Sequence, residues 1–271
     1  MKICLNTVTV GSQYPLSGII DEMGRWGYGG IELQRERLPE PSNQNALREV
    51  RQRLSDASIS PAGIMAWSMP VTRYAREQIE SIRVYGEVAR LMGAPTLLVF
   101  AGEGGPTDPA TLPEWYRRAG ARAREYAEAA GEGVSIALEP IGGVPGFGRP
   151  GDALAIAAAS DHPRVGIMMD LFHYYKSSVT SLEVETIPLS KLLIVHLNDC
   201  YDLPLSELND SHRVYPGEGV IPVRSRLSIL RRLGYKGHLS IELFNRGYWL
   251  DPLEVVVEQC FRSTARLLAN V

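Results

Sequence analysis

The sequence predicts an α/β fold, a single (β/α)8 TIM barrel domain that spans residues 1–271. Three observations support this prediction. The length of 271 residues suits eight β/α units, which need roughly 250 residues. Short apolar runs alternate with longer amphipathic stretches along the whole chain. No low-complexity linker or change in composition divides the sequence, so we expect one domain.

Eight apolar runs are expected to be strands. Several are almost continuously apolar, as parallel strands are when helices cover both faces of the sheet. An open, doubly wound sheet is the competing architecture for this alternation. The predicted strands cover residues 3–8, 30–34, 61–67, 96–100, 134–140, 165–170, 192–198 and 238–244.

Amphipathic stretches between these runs predict helices, for example over residues 72–92, 112–130 and 251–268. Glycine marks where several helices end. Gly27, Gly93 and Gly234 each follow an apolar helical turn and precede a predicted strand. We expect these glycines to adopt the left-handed conformation that ends a helix before a short loop.

Composition limits the classes of function. With 28 basic and 31 acidic residues the formal net charge is −3, which gives no field that attracts nucleic acid or an anionic membrane. Cys4, Cys200 and Cys260 lie far apart and are typical of free thiols in a reducing compartment. No apolar stretch approaches the ~20 residues of a membrane span, and no signal peptide is evident. We therefore expect a cytoplasmic protein that binds a small molecule, without nucleic acid or membrane partners.

The last four predicted strands each carry a ligand-type side chain near the end. Glu139, Asp170 and His196 follow three apolar residues each, and Glu242 follows Leu239-Ser240-Ile241. A buried carboxylate is costly unless its charge is compensated. The carboxyl ends of barrel strands meet at the mouth, where barrel enzymes keep their active sites. These four side chains predict a site for one divalent metal ion, with Mn²⁺, Mg²⁺, Co²⁺ and Zn²⁺ as candidates.

Each of these residues taken singly also has a purely structural interpretation. Glu139 and Glu242 would serve equally as strand-end carboxylates, the former paired with an arginine. Asp170 would cap the helix that follows it, and His196 would be a core histidine. The shared position on four successive strands favours the metal site over four separate structural explanations.

Longer segments around these residues resemble a known family. The likeness extends over nearly the whole chain and is most specific in its second half, while residues 70–132 contribute little beyond periodicity. The segments are Leu138-Glu139-Pro140, Met169-Asp170-Leu171-Phe172-His173, Val195-His196-Leu197-Asn198-Asp199, His212-Arg213-Val214-Tyr215-Pro216-Gly217-Glu218-Gly219 and Ser240-Ile241-Glu242-Leu243-Phe244-Asn245. They resemble the xylose-isomerase-like barrel superfamily of sugar and sugar-phosphate isomerases and epimerases, and within it most closely the inosose (2-keto-myo-inositol) isomerases.

The resemblance implies a metal-dependent isomerase or epimerase of a small polyhydroxy ketone. In that family the residues matching Glu139, Asp170, His196 and Glu242 bind one divalent ion, of which Mn²⁺ is the leading candidate. The ion polarises the carbonyl of an α-hydroxyketone and stabilises an enediolate. Glu139 and Glu242 would move the proton, one as base and the other as acid. Return of the proton to the opposite face gives epimerisation, and return to the neighbouring carbon gives isomerisation.

Four further residues are candidates for substrate binding. His173 matches a family position that hydrogen-bonds a substrate oxygen. Arg213, in a Gly/Pro-rich loop, would fix a substrate hydroxyl or carboxylate unless it pairs with a neighbouring acidic residue. Asp199 either orients a metal ligand or caps a turn. Glu32, at the end of the second strand, either contacts the substrate or is structural.

Other functions remain open on the same scaffold. A lyase of the 3-dehydroshikimate dehydratase type would use the same metal and expel a hydroxyl group. An endonuclease IV-like repair enzyme would need three zinc ions and more histidines than the two well-placed ones here. A non-catalytic sugar-binding barrel is the fourth alternative. We also expect a homodimer as a possible assembly, and the sequence leaves open whether the substrate is phosphorylated.

Overall fold

Eight parallel strands close into a barrel in the computed structural model, which describes residues 1–271. Neighbouring strands in the sequence are neighbours in the barrel, and the last strand pairs with the first through Leu5 and Ile241. The predicted (β/α)8 architecture is therefore confirmed and the open sheet is excluded. The strands are β1 (Lys2–Asn6), β2 (Gly30–Gln34), β3 (Ser60–Met69), β4 (Thr96–Ala101), β5 (Ser135–Glu139), β6 (Val165–Asp170), β7 (Leu192–Leu197) and β8 (His238–Ile241).

Nine α-helices surround the barrel or follow its strands. Two of them, α6 and α7, are only 6 and 5 residues long and together fill the connection between β6 and β7. None of the helices has the length and hydropathy of a membrane span. The helices are α1 (Leu16–Trp26), α2 (Gln44–Asp56), α3 (Arg76–Met92), α4 (Leu112–Ala130), α5 (Pro150–Ala159), α6 (Leu171–Lys176), α7 (Ser181–Glu185), α8 (Val223–Leu233) and α9 (Leu253–Ala269).

Some predicted boundaries differ from the observed ones for identifiable reasons. The helix expected from residue 72 begins at Arg76, because the Glu103 carboxylate accepts hydrogen bonds from the amides of Val71 and Thr72 and from the Thr72 hydroxyl. The first strand was predicted to reach residue 8, but it ends at Asn6, whose side chain caps a 3-10 turn by accepting from the Val8 amide. Local side-chain hydrogen bonds therefore delay the start of α3 and end β1 early.

The glycine caps predicted from sequence are confirmed. Gly27, Gly93 and Gly234 have φ angles of 76°, 77° and 85°, and each follows the last residue of a helix. Their amides donate to carbonyls of the preceding helical turn. Glycine adopts this backbone conformation without the steric penalty that a Cβ imposes.

Apolar packing occurs in two layers. A large cluster of 65 buried residues fills the space between strands and helices. A second cluster of six residues lies apart from it, and its members come from β1, β3, β4, β5, β6 and β7, one from each strand. It contains Cys4, Ala62, Leu98, Ala137, Met168 and Ile194. Because side chains alternate across a strand, this second cluster is the interior of the barrel.

The amino-terminal end of the barrel contains a histidine that is kept neutral. Burial, together with the nearby charge of Lys2, lowers the pKa of His238 to about 4 from its ordinary value of 6.5. The ring stands 3.1 Å from the Ser60 hydroxyl and close to Gly30, where an added Cβ would lie 2.4 Å from the ring. Little space is therefore available for water around the charged form.

This histidine should make the barrel less stable in acid. Between pH 6.5 and about 4 the unfolded chain binds a proton at this position that the folded chain does not, so stability falls as the pH falls. After allowance for partial exposure, we expect a loss on the order of 1–2 kcal/mol. The check is urea unfolding of wild type and His238→Gln at pH 7 and pH 4.5. Equal losses of unfolding free energy in both proteins would contradict the assignment.

Candidate metal centre

Strand geometry directs the predicted ligands into the barrel. Ala137, Met168 and Ile194 belong to the interior cluster, and Glu139, Asp170 and His196 follow them at a spacing of two residues. Side chains at positions i and i+2 of a strand point to the same face, so these polar groups also face inward. They lie nearer the carboxyl ends of their strands and therefore at the mouth. Glu242 directly follows β8 and completes the group.

The four predicted ligands converge on one small volume. One ligand atom from each of Glu139, Asp170, His196 and Glu242 can be chosen so that all lie within 4.8 Å of one another. His196 Nδ1 is 2.9 Å from Glu242 Oε2, 3.4 Å from Asp170 Oδ2 and 3.6 Å from Glu139 Oε1. All four side chains are buried. Three carboxylates and an imidazole at this spacing can surround one divalent cation.

The protonation of His196 matches a ligand role. Nε2 lies 2.9 Å and 3.1 Å from the two carboxylate oxygens of Glu32. An ionised carboxylate can only accept, so Nε2 carries the proton of this contact. Nδ1 is buried and has no hydrogen-bond partner, because the nearby carboxylate oxygens lie off hydrogen-bonding geometry. A buried ring nitrogen without a hydrogen-bond partner requires an explanation, and a cation bound in place of a proton supplies one.

The electrostatics of the cluster also suit a cation. Burial alone would lower the pKa of His196, but the carboxylates of Glu242 and Glu32 raise it well above its ordinary value. Burial would raise the pKa of Asp170, yet Arg213, His173 and His196 hold it well below its ordinary value. These shifts indicate a strongly negative site in which Asp170 stays ionised. Such a site binds positive charge, and Arg213 provides part of it.

Arg213 is fully buried beside the predicted metal ligands. Its Nη1 donates to Asp170 Oδ2 and to Glu242 Oε2, both at 2.8 Å. Asp210 accepts from Nη2 at 2.6 Å on the opposite side of the guanidinium. The group also lies over the rings of Phe172 and Phe244, at 4.8 and 5.4 Å from their centroids. The expected pairing with a neighbouring carboxylate is therefore present, and so is a position at the site.

His173 lies at the rim of the same cluster. Asp170 caps α6 through Oδ1, which accepts from the His173 amide at 3.0 Å, and this cap brings the imidazole back toward the mouth. Nε2 is 3.9 Å from Glu139 Oε1 and 3.3 Å from Arg213 Nη2. Nδ1 is buried without a partner. The edge of the ring that carries Nε2 therefore faces the cluster, and the unpartnered Nδ1 is a second polar atom on the same ring.

Two of the candidate substrate-binding residues are engaged by other groups of the chain. Asp199 accepts hydrogen bonds from the amides of Gly217 and Ile221, at 3.1 and 2.8 Å, so it holds the loop after β7. Glu32 lies beneath His196 inside the barrel and is fully buried. The contacts of Asp199 are those of a residue that caps a turn, which was one of its two predicted roles. For Glu32, predicted either to contact the substrate or to be structural, the contact found is with the predicted ligand His196.

Two asparagines at the site were missed as candidates. Asn6, the last residue of β1, donates through Nδ2 to Glu242 Oε1 at 3.1 Å. Asn198 Nδ2 lies 3.3 Å from both oxygens of Asp170, and its Oδ1 accepts from the Phe172 amide at 2.8 Å. Both are buried polar residues at the carboxyl ends of strands. The criterion that selected the acidic ligands would have found them if amides had been included.

Comparison with known proteins identifies the family. A family model described as a xylose isomerase-like TIM barrel matches residues 20–264. The chain therefore belongs to the xylose isomerase-like TIM barrel family. Inosose isomerase of Halalkalibacterium halodurans is 28% identical over 280 aligned residues, which cover 100% of this chain and 97% of that protein. Relatives of this name match the full chain at 25–28% identity and place it among isomerase enzymes.

Two further similarities concern structure and a different enzyme class. The crystal structure of an IolI protein with a bound zinc atom superposes with a TM-score of 0.88 at 22% identity, covering 100% of this chain and 99% of that one. A 3-dehydroshikimate dehydratase of Pseudomonas putida is 32% identical over 95 residues, which are 34% of this chain and 15% of that protein. The first similarity supports the fold, and the second concerns only part of the chain.

Proposed function

We propose that this chain is a divalent-metal-dependent isomerase or epimerase of a small polyhydroxy ketone, with an inosose or a ketose as substrate. The observation that carries the proposal is the convergence of three carboxylates on the unpartnered Nδ1 of His196. The full-length isomerase relatives supply the reaction class. The chemistry of the site supports the substrate class, since vicinal oxygens of a hydroxyketone suit a hard cation.

Glu139, Asp170, His196 and Glu242 would hold the ion. The oxygen-rich ligand set favours Mn²⁺, with Mg²⁺, Co²⁺ and Zn²⁺ as alternatives. When bound, the ion would polarise the substrate carbonyl and stabilise the negative charge that develops as the adjacent carbon loses its proton.

The two glutamates would transfer the proton, and their surroundings differ. Both oxygens of Glu242 are engaged, Oε1 by Asn6 and Oε2 by Arg213. Glu139 has only the longer contacts to His196 and His173. Glu242 is therefore held in a fixed orientation, while Glu139 is free to follow the substrate. One would remove the proton from carbon and the other would return it, which produces an enediolate between the two steps.

Arg213 and His173 would orient the substrate. The guanidinium stands between the two ligand carboxylates and the ring of His173, so it can donate to a substrate hydroxyl without leaving Asp170. His173 can offer its unpartnered Nδ1 or its Nε2 to a second oxygen. Water is excluded from the ligand cluster by burial, which strengthens each of these interactions.

Dehydration of a 3-dehydroshikimate-type substrate is the second candidate. The partial match to a dehydratase of that name favours it over the remaining alternatives. Loss of a hydroxyl from the carbon next to an enolate would need the same base and an acid on the leaving oxygen. A three-zinc nuclease receives no support from the cluster, which contains one histidine, since His162, His212 and His238 lie outside it.

Metal content and proton exchange test the proposal together. We expect about one divalent ion per chain by plasma mass spectrometry, and metal-dependent uptake of deuterium from D2O by one inosose or ketose in the presence of Mn²⁺. Exchange of 3-dehydroshikimate with loss of water would instead indicate the lyase. Three zinc ions per chain would favour the nuclease. Failure to bind any divalent ion would refute the site itself.

A further inference from the structure

A buried carboxylate lies behind the ligand histidine. Glu32 comes from β2, which is separated from β7 around the barrel by β1 and β8, and its side chain is completely buried. Both of its oxygens contact His196 Nε2, and Ser240 donates its hydroxyl to Oε2. Ser240 is on β8, so three strands contribute to this contact. The arrangement lies below the metal ligands and is separate from the substrate side of the site.

No basic side chain neutralises Glu32. No lysine or arginine nitrogen lies within 4 Å of it, and His196 is its one ion-pairing partner. A carboxylate buried in this way is destabilising unless its charge is compensated through its neighbours. The imidazole provides this compensation only if Nε2 carries a proton. Positive charge on the Nδ1 side of the ring would stabilise the carboxylate further.

We propose that Glu32, oriented by Ser240, is a positioning residue that keeps the His196 proton on Nε2 and so presents Nδ1 as a metal ligand. This inference rests on the metal site of the proposed function. The two carboxylate contacts also fix the plane of the ring, because rotation about its Cβ–Cγ bond would break them. Without Glu32, the proton could move to Nδ1, where Glu242 Oε2 at 2.9 Å would attract it. A protonated Nδ1 cannot bind a metal ion.

The test compares metal affinity in matched variants. Glu32→Gln keeps the shape of the side chain, removes its charge and allows the amide to donate to Nε2. We expect metal affinity to fall by about 10- to 100-fold, measured by titration of the metal-free protein with Co²⁺ and its visible absorption. Glu22→Gln is the control, since Glu22 is a buried carboxylate on α1 that bonds to Arg25 instead. The Glu22→Gln variant should bind Co²⁺ with the same affinity as wild type.

Ring ¹⁵N chemical shifts report which nitrogen of His196 carries the proton. They therefore distinguish control of the His196 tautomer from a purely structural role of Glu32. The chain has five histidines, so assignment is practicable. In the metal-loaded wild type we expect a protonated Nε2 and a metal-bound Nδ1 for His196. If Glu32→Gln does not fold, Ser240→Ala serves as the second variant, because it removes a hydrogen bond to Glu32 and leaves its charge. It should weaken metal binding several-fold.

The outcomes separate this inference from the proposed function. Wild type that binds no metal refutes the proposed function. Wild type that binds metal through His196 Nε2, or a Glu32→Gln variant that binds Co²⁺ as tightly as wild type, refutes the role of Glu32. Weakened binding with unchanged thermal stability of the metal-free protein supports it.

Discussion

Replacement of Glu242 by glutamine should lower kcat about 10³-fold at saturating Mn²⁺. A positioned general acid or base contributes 10²- to 10⁴-fold, and an amide can neither take nor return the proton at this pH. The change is nearly isosteric, and the single amide oxygen can keep one of the two hydrogen bonds that Asn6 and Arg213 donate to Glu242. Metal affinity should also fall because a ligand charge is lost. Rates must therefore be compared at metal concentrations that saturate each protein.

Glu139→Gln separates the two proton-transfer roles. If Glu139 is the base, its glutamine variant loses both deuterium exchange and turnover. If Glu242 is then the acid, Glu242→Gln retains exchange of the substrate proton with solvent and loses turnover. Glu218→Gln is the matched control, since Glu218 is an exposed carboxylate in the loop after β7. A Glu242→Gln variant with kcat within threefold of wild type at saturating metal would remove Glu242 from the chemistry.

The barrel and its ligand group were predictable because both depend on strand periodicity. Ala137 and Glu139 must share a face in any β-strand, as must Met168 and Asp170. Closure of the barrel then brings the carboxyl ends of consecutive strands to one mouth. No long-range information beyond the strand order was needed. The same reasoning placed His196 correctly, one residue before the end of β7.

The roles of Glu32 and Arg213 could not be derived in this way. Glu32 lies beneath His196 because closure of the barrel leaves only β1 and β8 between β2 and β7, a relation that depends on the register of the whole sheet. Arg213 reaches the ligands through a short antiparallel ladder, in which Arg213–Val214 pairs with Asp199–Cys200. Its position depends on how the loop folds back, and spacing in the sequence does not determine this.

The loop after β7 shows most clearly which contacts the sequence alone does not predict. Asp199 lies at the start of this loop, and its carboxylate accepts hydrogen bonds from the amides of Gly217 and Ile221 at the other end. Sequence pattern suggested a turn cap or a metal-orienting role for Asp199 with equal weight, since both need the same carboxylate after a strand. The contacts that distinguish the two roles come from backbone amides about twenty residues later in the chain. Such contacts are formed by tertiary structure and leave no local periodic signal.

Replacement of Arg213 by methionine should destabilise the metal-free protein by about 3–5 kcal/mol, the range for breaking a buried ion pair by removing one partner. Asp170 and Glu242 would then keep their charges without the guanidinium that bonds to both. A bound divalent ion supplies positive charge to the same two carboxylates. The loss should therefore be clearly smaller with saturating Mn²⁺ than with EDTA.

Thermodynamic linkage between metal binding and folding provides a second, independent check of this prediction. If the ion reduces the cost of the substitution, Arg213→Met must bind Mn²⁺ more tightly than wild type by the same free energy. Urea unfolding with and without metal, and direct titration, measure the two sides independently. Arg226→Met is the control, because Arg226 is a buried arginine on α8 that bonds to the Val179 carbonyl, outside the ligand cluster. The loss of unfolding free energy caused by Arg226→Met should be the same with and without metal. Equal destabilisation by Arg213→Met in EDTA and in Mn²⁺ would show that its charge is not coupled to the metal ligands.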